Sequence, residues 1–298
     1  MFMALLCLSS PAFADALEGR KAPAEILAET PPSEWRAFDQ ENLLYITLGD
    51  GVAIVALSEF LAQDHVAQLK SLARQGFYDG LSFYRVIDGF VAQGGDPFEE
   101  RDIGDAKQML KAEFEEPLPE FIERVGDSFA TVRDSDGYAS RVGFVDGLPV
   151  GVDDQSQTVW HLHCAGAFAF GREIEKNSAS TEIYITLQPQ RYLDRNLSVV
   201  GRVISGMEHI QRLNRNTPPE AKTDALGDVI VSMRIGADLP ADQQLEFETL
   251  RAKSDAFTEF WEARRNRPEA FFYVRHDHLD ICQFPVPIRE VRRAETEQ

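Results

Sequence analysis

From Phe83 to Pro97 the chain reads Phe-Tyr-Arg-Val-Ile-Asp-Gly-Phe-Val-Ala-Gln-Gly-Gly-Asp-Pro. One arginine, Arg85, sits among apolar neighbours, and a Gly-Gly-Asp-Pro turn follows. An arginine stays charged and offers its N–H donors in a rigid fork. Where water is excluded its field strengthens, so it suits a polar group that twists or develops charge. Two other groups could do chemistry. His161-Leu162-His163 and His276-Asp277-His278 each set imidazoles at positions i and i+2, which share a face of an extended strand and could grip one metal ion. Each pair lies close to a cysteine, Cys164 or Cys282; were these bonded, the four histidines could converge. The plainer reading has the imidazoles hydrogen-bonding within the protein, and no metal is assigned. The G-x-S-x-G, H-E-x-x-H and G-x-x-x-x-G-K signatures of hydrolases and phosphate binders are missing. Glu115-Glu116 and Asp153-Asp154 read as exposed acidic turns.

The stretch around Arg85 resembles the signature of the cyclophilins, the barrel-type peptidyl-prolyl cis-trans isomerases. Gly76-Phe77-Tyr78-Asp79-Gly80 upstream, and Leu193-Asp194, Gly201-Arg202-Val203 and Gly206-Met207 downstream, recur in that family in the same order. Several motifs in one order are far more specific than one alone. The resemblance spans about Tyr45 to Ile235. It implies a mainly β fold, a closed antiparallel β-barrel capped by helices, here with an inserted loop region and a helical C-terminal extension. It also implies a reaction. An X–Pro bond turns over a barrier of about 18–20 kcal/mol set by amide resonance. A catalyst for that step needs an apolar pocket for the ring and a fixed donor for the twisted amide, and no cofactor.

Matched position by position, Arg85 takes the place of the family's catalytic arginine. Phe90 and Val91 fall where Phe and Met line the proline pocket. Gln93 falls on a glutamine that holds the arginine and the substrate backbone. Glu182 replaces a glutamine and Tyr184 a pocket phenylalanine. Tyr192-Leu193-Asp194 matches a Trp-Leu-Asp segment, with Leu193 in the pocket and Tyr192 for a tryptophan that helps bind cyclosporin, which implies weaker cyclosporin binding. Leu197 sits where many members have histidine. A carboxylate at Glu182 could pair with Arg85 and blunt its field, which implies reduced activity on generic peptides. The alternative is a binding module or chaperone that kept the barrel and lost efficient catalysis.

Strands and turns must carry these residues. Asn42 to Ser58 alternates apolar residues around Gly49-Asp50-Gly51, a hairpin with an Asp-Gly turn. Asp64 is placed to cap a helix with Val66, Leu69 and Leu72 at helical spacing, and Gly76 to stop it. Leu81–Val86, Phe90–Gln93, Ala167–Phe170, Glu182–Leu187 and Leu197–Val203 read as strands. Gly206–Leu213 reads as a second helix and Asp228–Ile235 as a closing strand. Residues 115–160 read as an insertion of acidic turns and short strands, and Ala241–Arg267 as helix. The organisation expected is 1–14 signal peptide, 15–41 N-terminal extension, 42–236 barrel and 237–298 C-terminal extension.

The chain has 298 residues and a net charge of -19. That balance argues against nucleic acid and against docking on an anionic membrane. No run approaches a membrane span. Met3 to Leu8 is apolar, and Ala12-Phe13-Ala14 fits an A-x-A cleavage site with Asp15 as the first mature residue. A periplasmic or secreted protein is expected, with proline-containing polypeptides as partners. Cleavage would leave Cys164 and Cys282, either as a disulfide or as two buried thiols.

Overall fold

The computed structural model describes residues 20–58, 60–218 and 226–291. The expected cleavage motif lies outside the described residues. The first part of the chain runs α1 (Pro23–Glu29), β1 (Trp35–Ala37), β2 (Leu43–Leu48), β3 (Gly51–Leu57), α2 (Gln63–Arg74), β4 (Ser82–Val86) and β5 (Val91–Gly95). The middle holds β6 (Glu116–Pro117), α3 (Leu118–Val125), β7 (Phe129–Thr131), β8 (Arg141–Val145), β9 (Leu148–Asp153) and β10 (Thr158–His161). Then come β11 (Ala167–Phe170), β12 (Ile183–Thr186), β13 (Val199–Ser205), α4 (Met207–Gln211), β14 (Asp228–Val229) and β15 (Ser232–Ile235). The tail adds β16 (Glu246–Leu250), α5 (Asp255–Arg265) and β17 (Ile288–Val291).

Nine strands form one antiparallel sheet in the order β14-β4-β5-β12-β11-β13-β3-β2-β15. The expected closing strand is split in two. β14 pairs with β4, β15 with β2, and Ile230 and Val231 cross between them, donating to Leu81 O and Thr47 O. The closed barrel is thus partly realised: one stretch of chain touches both edges of a curled sheet. In the first hairpin Leu48 already pairs with Gly51, so the turn is Gly49-Asp50.

Alternation explains the packing of that hairpin. Leu44, Ile46, Val55 and Leu57 point into the barrel core, with α2 over them. Their neighbours Leu43, Tyr45, Ile54 and Ala56 are buried as well, against Phe247 of the tail. A strand pair apolar on both faces therefore has a layer on each side.

Helix α2 starts differently from the reading of Asp64 as its cap. Asp64 lies inside the first turn, and the backbone N–H groups of Asp64 and His65 donate to the Glu113 carboxylate at 3.1 and 3.0 Å. A carboxylate from a distant segment thus satisfies the orphan donors of the helix. Gly76 ends it with φ +69°, as a left-handed stop requires.

The short strands expected in the insertion are present and pair with one another. They form a five-stranded sheet, β6-β10-β9-β8-β7, packed on α3 through Phe121, Val145, Val150, Val152 and Val159. The tail departs from the expected helix. Residues Glu246–Leu250 form β16, held between β1 and β17, and α5 begins only at Asp255, capped by Ser254 Oγ from Phe257 N at 3.1 Å. Two-sided strand pairing overrides the helical reading of this segment. Ile26, Trp35, Phe144, Trp160, Phe257 and Trp261 share one core, so N-terminal extension, insertion and tail make a second unit. Cys164 and Cys282 are joined by a disulfide with Cα atoms 4.9 Å apart, which ties the tail to the barrel side. Among the described residues no helix is long and apolar enough to cross a membrane.

Candidate active site

The site is built on the β4–β5 hairpin, where Arg85 lies opposite Gln93. Strict alternation would send Tyr84 and Arg85 to opposite faces. A register shift between Ser82 and Arg85 breaks that rule, and both side chains reach Gln93. The two glycines after Gln93 are required by space. A Cβ on Gly94 would meet Ser82 O at 2.9 Å, and one on Gly95, at φ +145°, would collide with the Glu182 carboxylate. Asp96 then fixes the turn by accepting from the N–H groups of Glu100 and Arg101 at 2.8 and 2.6 Å.

Four polar side chains run in a line. Arg85 Nη1 donates to Gln93 Oε1 at 3.1 Å, and Gln93 Nε2 donates to the Tyr84 hydroxyl at 2.7 Å. Tyr84 in turn donates to Glu182 Oε2, which Gln93 Nε2 also approaches at 3.4 Å. Arg85 itself makes no ion pair with Glu182; the glutamine and the tyrosine stand between them. Burial pushes the Glu182 carboxyl up to about 7, against the opposing pull of the Tyr84 and Gln93 hydrogen bonds. Burial, and then the Glu182 charge, keep the Tyr84 hydroxyl protonated well above its ordinary range. Tyr84, Arg85, Gln93 and Glu182 line one side of a cleft of about 310 Å³ that Arg172, Glu173, Asp96 and Glu99 also border.

Beside this line lies an apolar cluster. Val91, Ala167, Ala169, Tyr184 and Val199 are buried together, with Phe90 and Leu197 packed against them. The Arg85 guanidinium stands 5.3 Å from the centre of the Phe90 ring, joining the polar line to the apolar wall. The structure thus brings together Arg85, Gln93 and Glu182 in one set, and Phe90, Val91, Tyr184 and Leu197 in another. Tyr192 and Leu193 lie on the adjoining turn Arg191–Leu193, outside that cluster, and Tyr192 is 59% exposed.

The histidines have separate tasks. His161 Nε2 bonds Ser58 Oγ at 2.8 Å, and burial lowers its pKa to about 4. His163 Nε2 meets the Tyr184 hydroxyl at 2.9 Å, and His278 faces Asp134 at 3.4 Å while His276 is exposed. Among the described residues no group of three or more His, Cys, Asp or Glu is placed to hold a metal ion, so the four histidines do not form one site. Sequence reasoning missed Tyr84, which a strand pattern turns away from the cleft, and Arg172. It also missed His163 as the partner of Tyr184; the hydroxyl in place of a phenylalanine was the available signal.

Comparison with known proteins accords with this geometry. The family model described as cyclophilin type peptidyl-prolyl cis-trans isomerase/CLD matches residues 43–235. A probable peptidyl-prolyl cis-trans isomerase of Brucella suis is 30% identical over 204 residues, 68% of this chain and 86% of that one. Peptidyl-prolyl cis-trans isomerase B of Bacillus subtilis is 29% identical over 192 residues, 64% of this chain and 96% of that one. Among solved structures, cyclophilin AquaCyp293 from Hirschia baltica matches with a TM-score of 0.71 at 27% identity, covering 91% of this chain and 98% of that one. That match extends well beyond residues 43–235, so it takes in much of the second unit.

Proposed function

The chain belongs to the cyclophilin-type peptidyl-prolyl cis-trans isomerases, and on that footing we propose that it isomerises X–Pro bonds of exported or unfolded polypeptides, with Arg85 as the electrostatic catalyst. A planar amide spreads its nitrogen lone pair into the carbonyl; twisting the bond localises that pair on nitrogen. A donor aimed at the nitrogen therefore binds the twisted state more tightly than the planar one, which is what lowers a barrier. Arg85 commits Nη1 to Gln93, and the rest of its fork serves this purpose. Phe90, Val91, Tyr184 and Leu197 receive the ring, and Gln93 orients the guanidinium.

The observation that carries this reading is the meeting of the Arg85–Gln93–Tyr84–Glu182 line with the apolar cluster. Its test is NMR exchange of a proline tetrapeptide, native protein beside Arg85→Ala. Catalysed exchange that vanishes in the variant supports it. Binding by the native protein with no exchange would make the barrel a recognition module, the reading that the Glu182 carboxylate favours. An exported location is supported by the Ala12-Phe13-Ala14 motif and by a Cys164–Cys282 disulfide, a bond that persists in oxidising compartments. Cell fractionation followed by N-terminal sequencing tests it; a periplasmic form starting at Asp15 is expected, and a cytosolic full-length form would overturn it.

A further inference from the structure

Tyr184 is set apart from the rest of the apolar cluster by its hydroxyl, and burial keeps that hydroxyl protonated. It meets Nε2 of His163, which is fully buried, and the two rings lie nearly parallel at 9°. His163 Nδ1 lies 3.0 Å from Asp194 Oδ1, which also accepts the His163 backbone N–H at 2.9 Å. Arg191 Nε donates to the other Asp194 oxygen, Oδ2, at 2.6 Å. With Asp194 Oδ1 as the acceptor opposite Nδ1, a neutral imidazole presents Nε2 as the acceptor for the Tyr184 hydroxyl.

The line does not stop at Arg191. Its guanidinium donates twice to Asp136, at 2.7 and 2.8 Å, and covers the ring of Tyr138. Asp136 is pinned by the N–H groups of Tyr138 and Ala139 at 2.8 and 2.9 Å, and it belongs to the β7–β8 loop of the inserted sheet. Two residues earlier in that loop, Asp134 accepts from Trp261 Nε1, Arg265 Nε and Leu279 N. One loop of the second unit therefore grips the tail with one aspartate and reaches the pocket tyrosine through the other. Cys164, directly after His163, is bonded to Cys282, so the disulfide fixes the backbone beside the same line.

We propose that the second unit sets the shape of the proline pocket, with Asp136, Arg191, Asp194 and His163 as positioning residues that hold the Tyr184 ring. A phenylalanine at this position would have no such tether, since only the hydroxyl enters the line. Arg191, Asp136 and Asp194 are each less than a tenth exposed, so solvent does not screen the pairs. The inference rests on the isomerase reading of this cleft, which Arg85→Ala tests separately.

The test is a double-mutant cycle on the full-length, disulfide-bonded protein. Asp136→Asn, Tyr184→Phe and the double variant are compared with native protein for affinity towards a proline tetrapeptide and for its catalysed exchange, both by NMR. Asp136→Asn is expected to weaken affinity about fivefold, with little change in exchange of the bound peptide. In the Tyr184→Phe background the same substitution is expected to change affinity less than about twofold, because the line no longer reaches the ring. Equal weakening in both backgrounds, or no weakening in either, overturns the proposal. If Asp136→Asn does not fold, Arg191→Lys enters the same cycle, since lysine keeps the charge but cannot fork between two carboxylates. A native protein that binds without exchange would sink the isomerase reading and still leave the affinity cycle readable.

Discussion

Two hydrogen-bonded lines serve the candidate site, one bordering the cleft and one ending on the buried Tyr184 of the apolar cluster, and they differ in where they lead. The first, Arg85–Gln93–Tyr84–Glu182, stays within the barrel sheet and ends on a carboxyl whose pKa is pushed up to about 7. The second, Tyr184–His163–Asp194–Arg191–Asp136, leaves the barrel and ends on a carboxyl held low by Arg191 and by backbone N–H groups, against the upward push of burial. The first line can change charge near neutral pH; the second has its charges paired and buried. Chemistry and tuning belong to the first line, geometry to the second.

The most disruptive way to break the comparison is Arg191→Ala. It strands two buried carboxylates, Asp136 and Asp194, and should lower stability by about 3–5 kcal/mol, read by urea unfolding. Arg85→Ala should act on rate instead. A lost catalytic donor costs about 2.7–4 kcal/mol of barrier, so peptide exchange should slow about a hundredfold or more, while the urea midpoint hardly moves. A result in which both variants lose stability alike would erase the distinction.

Acidity sharpens it further. Glu182 is neutral below about pH 7 and an anion above, when it opposes the field of Arg85 through Gln93 and Tyr84. Isomerase rate should fall a few-fold as pH rises through 7, and Glu182→Gln should hold the low-pH rate throughout; a native profile without this step would count against the line. Stability has its own sign. The folded pKa lies above the unprotected value of 4.5, so Glu182 binds its proton more tightly in the folded protein. Its contribution is complete below about pH 4.5 and is lost as pH rises to 7, an effect of up to about 3 kcal/mol that Glu182→Gln would abolish. The smallest effect belongs to Tyr184→Phe. Removing one hydroxyl from His163 should cost about 1 kcal/mol in stability, measured by thermal unfolding.

Much of the first line is legible in the residues. Arg85, Phe90, Val91 and Gln93 fall within one hairpin, and its strands show in apolar alternation and in the Gly-Gly-Asp turn. Tyr84 escapes because a register shift, not the pattern, turns it inward. The tail misleads for a related reason: Ala241–Arg267 reads as helix, yet β1 and β17 claim residues 246–250 as strand. Helix α2 shows its apolar face and its Gly76 stop, but the group that caps it, Glu113, is 49 residues away from Asp64.

By itself the sequence determined the motif order, the strands that carry the cleft and the identity of Arg85 and its near neighbours. These are properties of spacing over a few residues, and side-chain alternation and turn chemistry act at that range. Tertiary structure alone decided that the insertion and both extensions share a core, that Cys164 meets Cys282, and that Tyr184 is tethered to Asp136. Arg191 and Asp136 are 55 residues apart, and His163 and Asp194 are 31 apart. Such partners are chosen by which surfaces close on one another when the two cores form, and no local window of the chain holds that information.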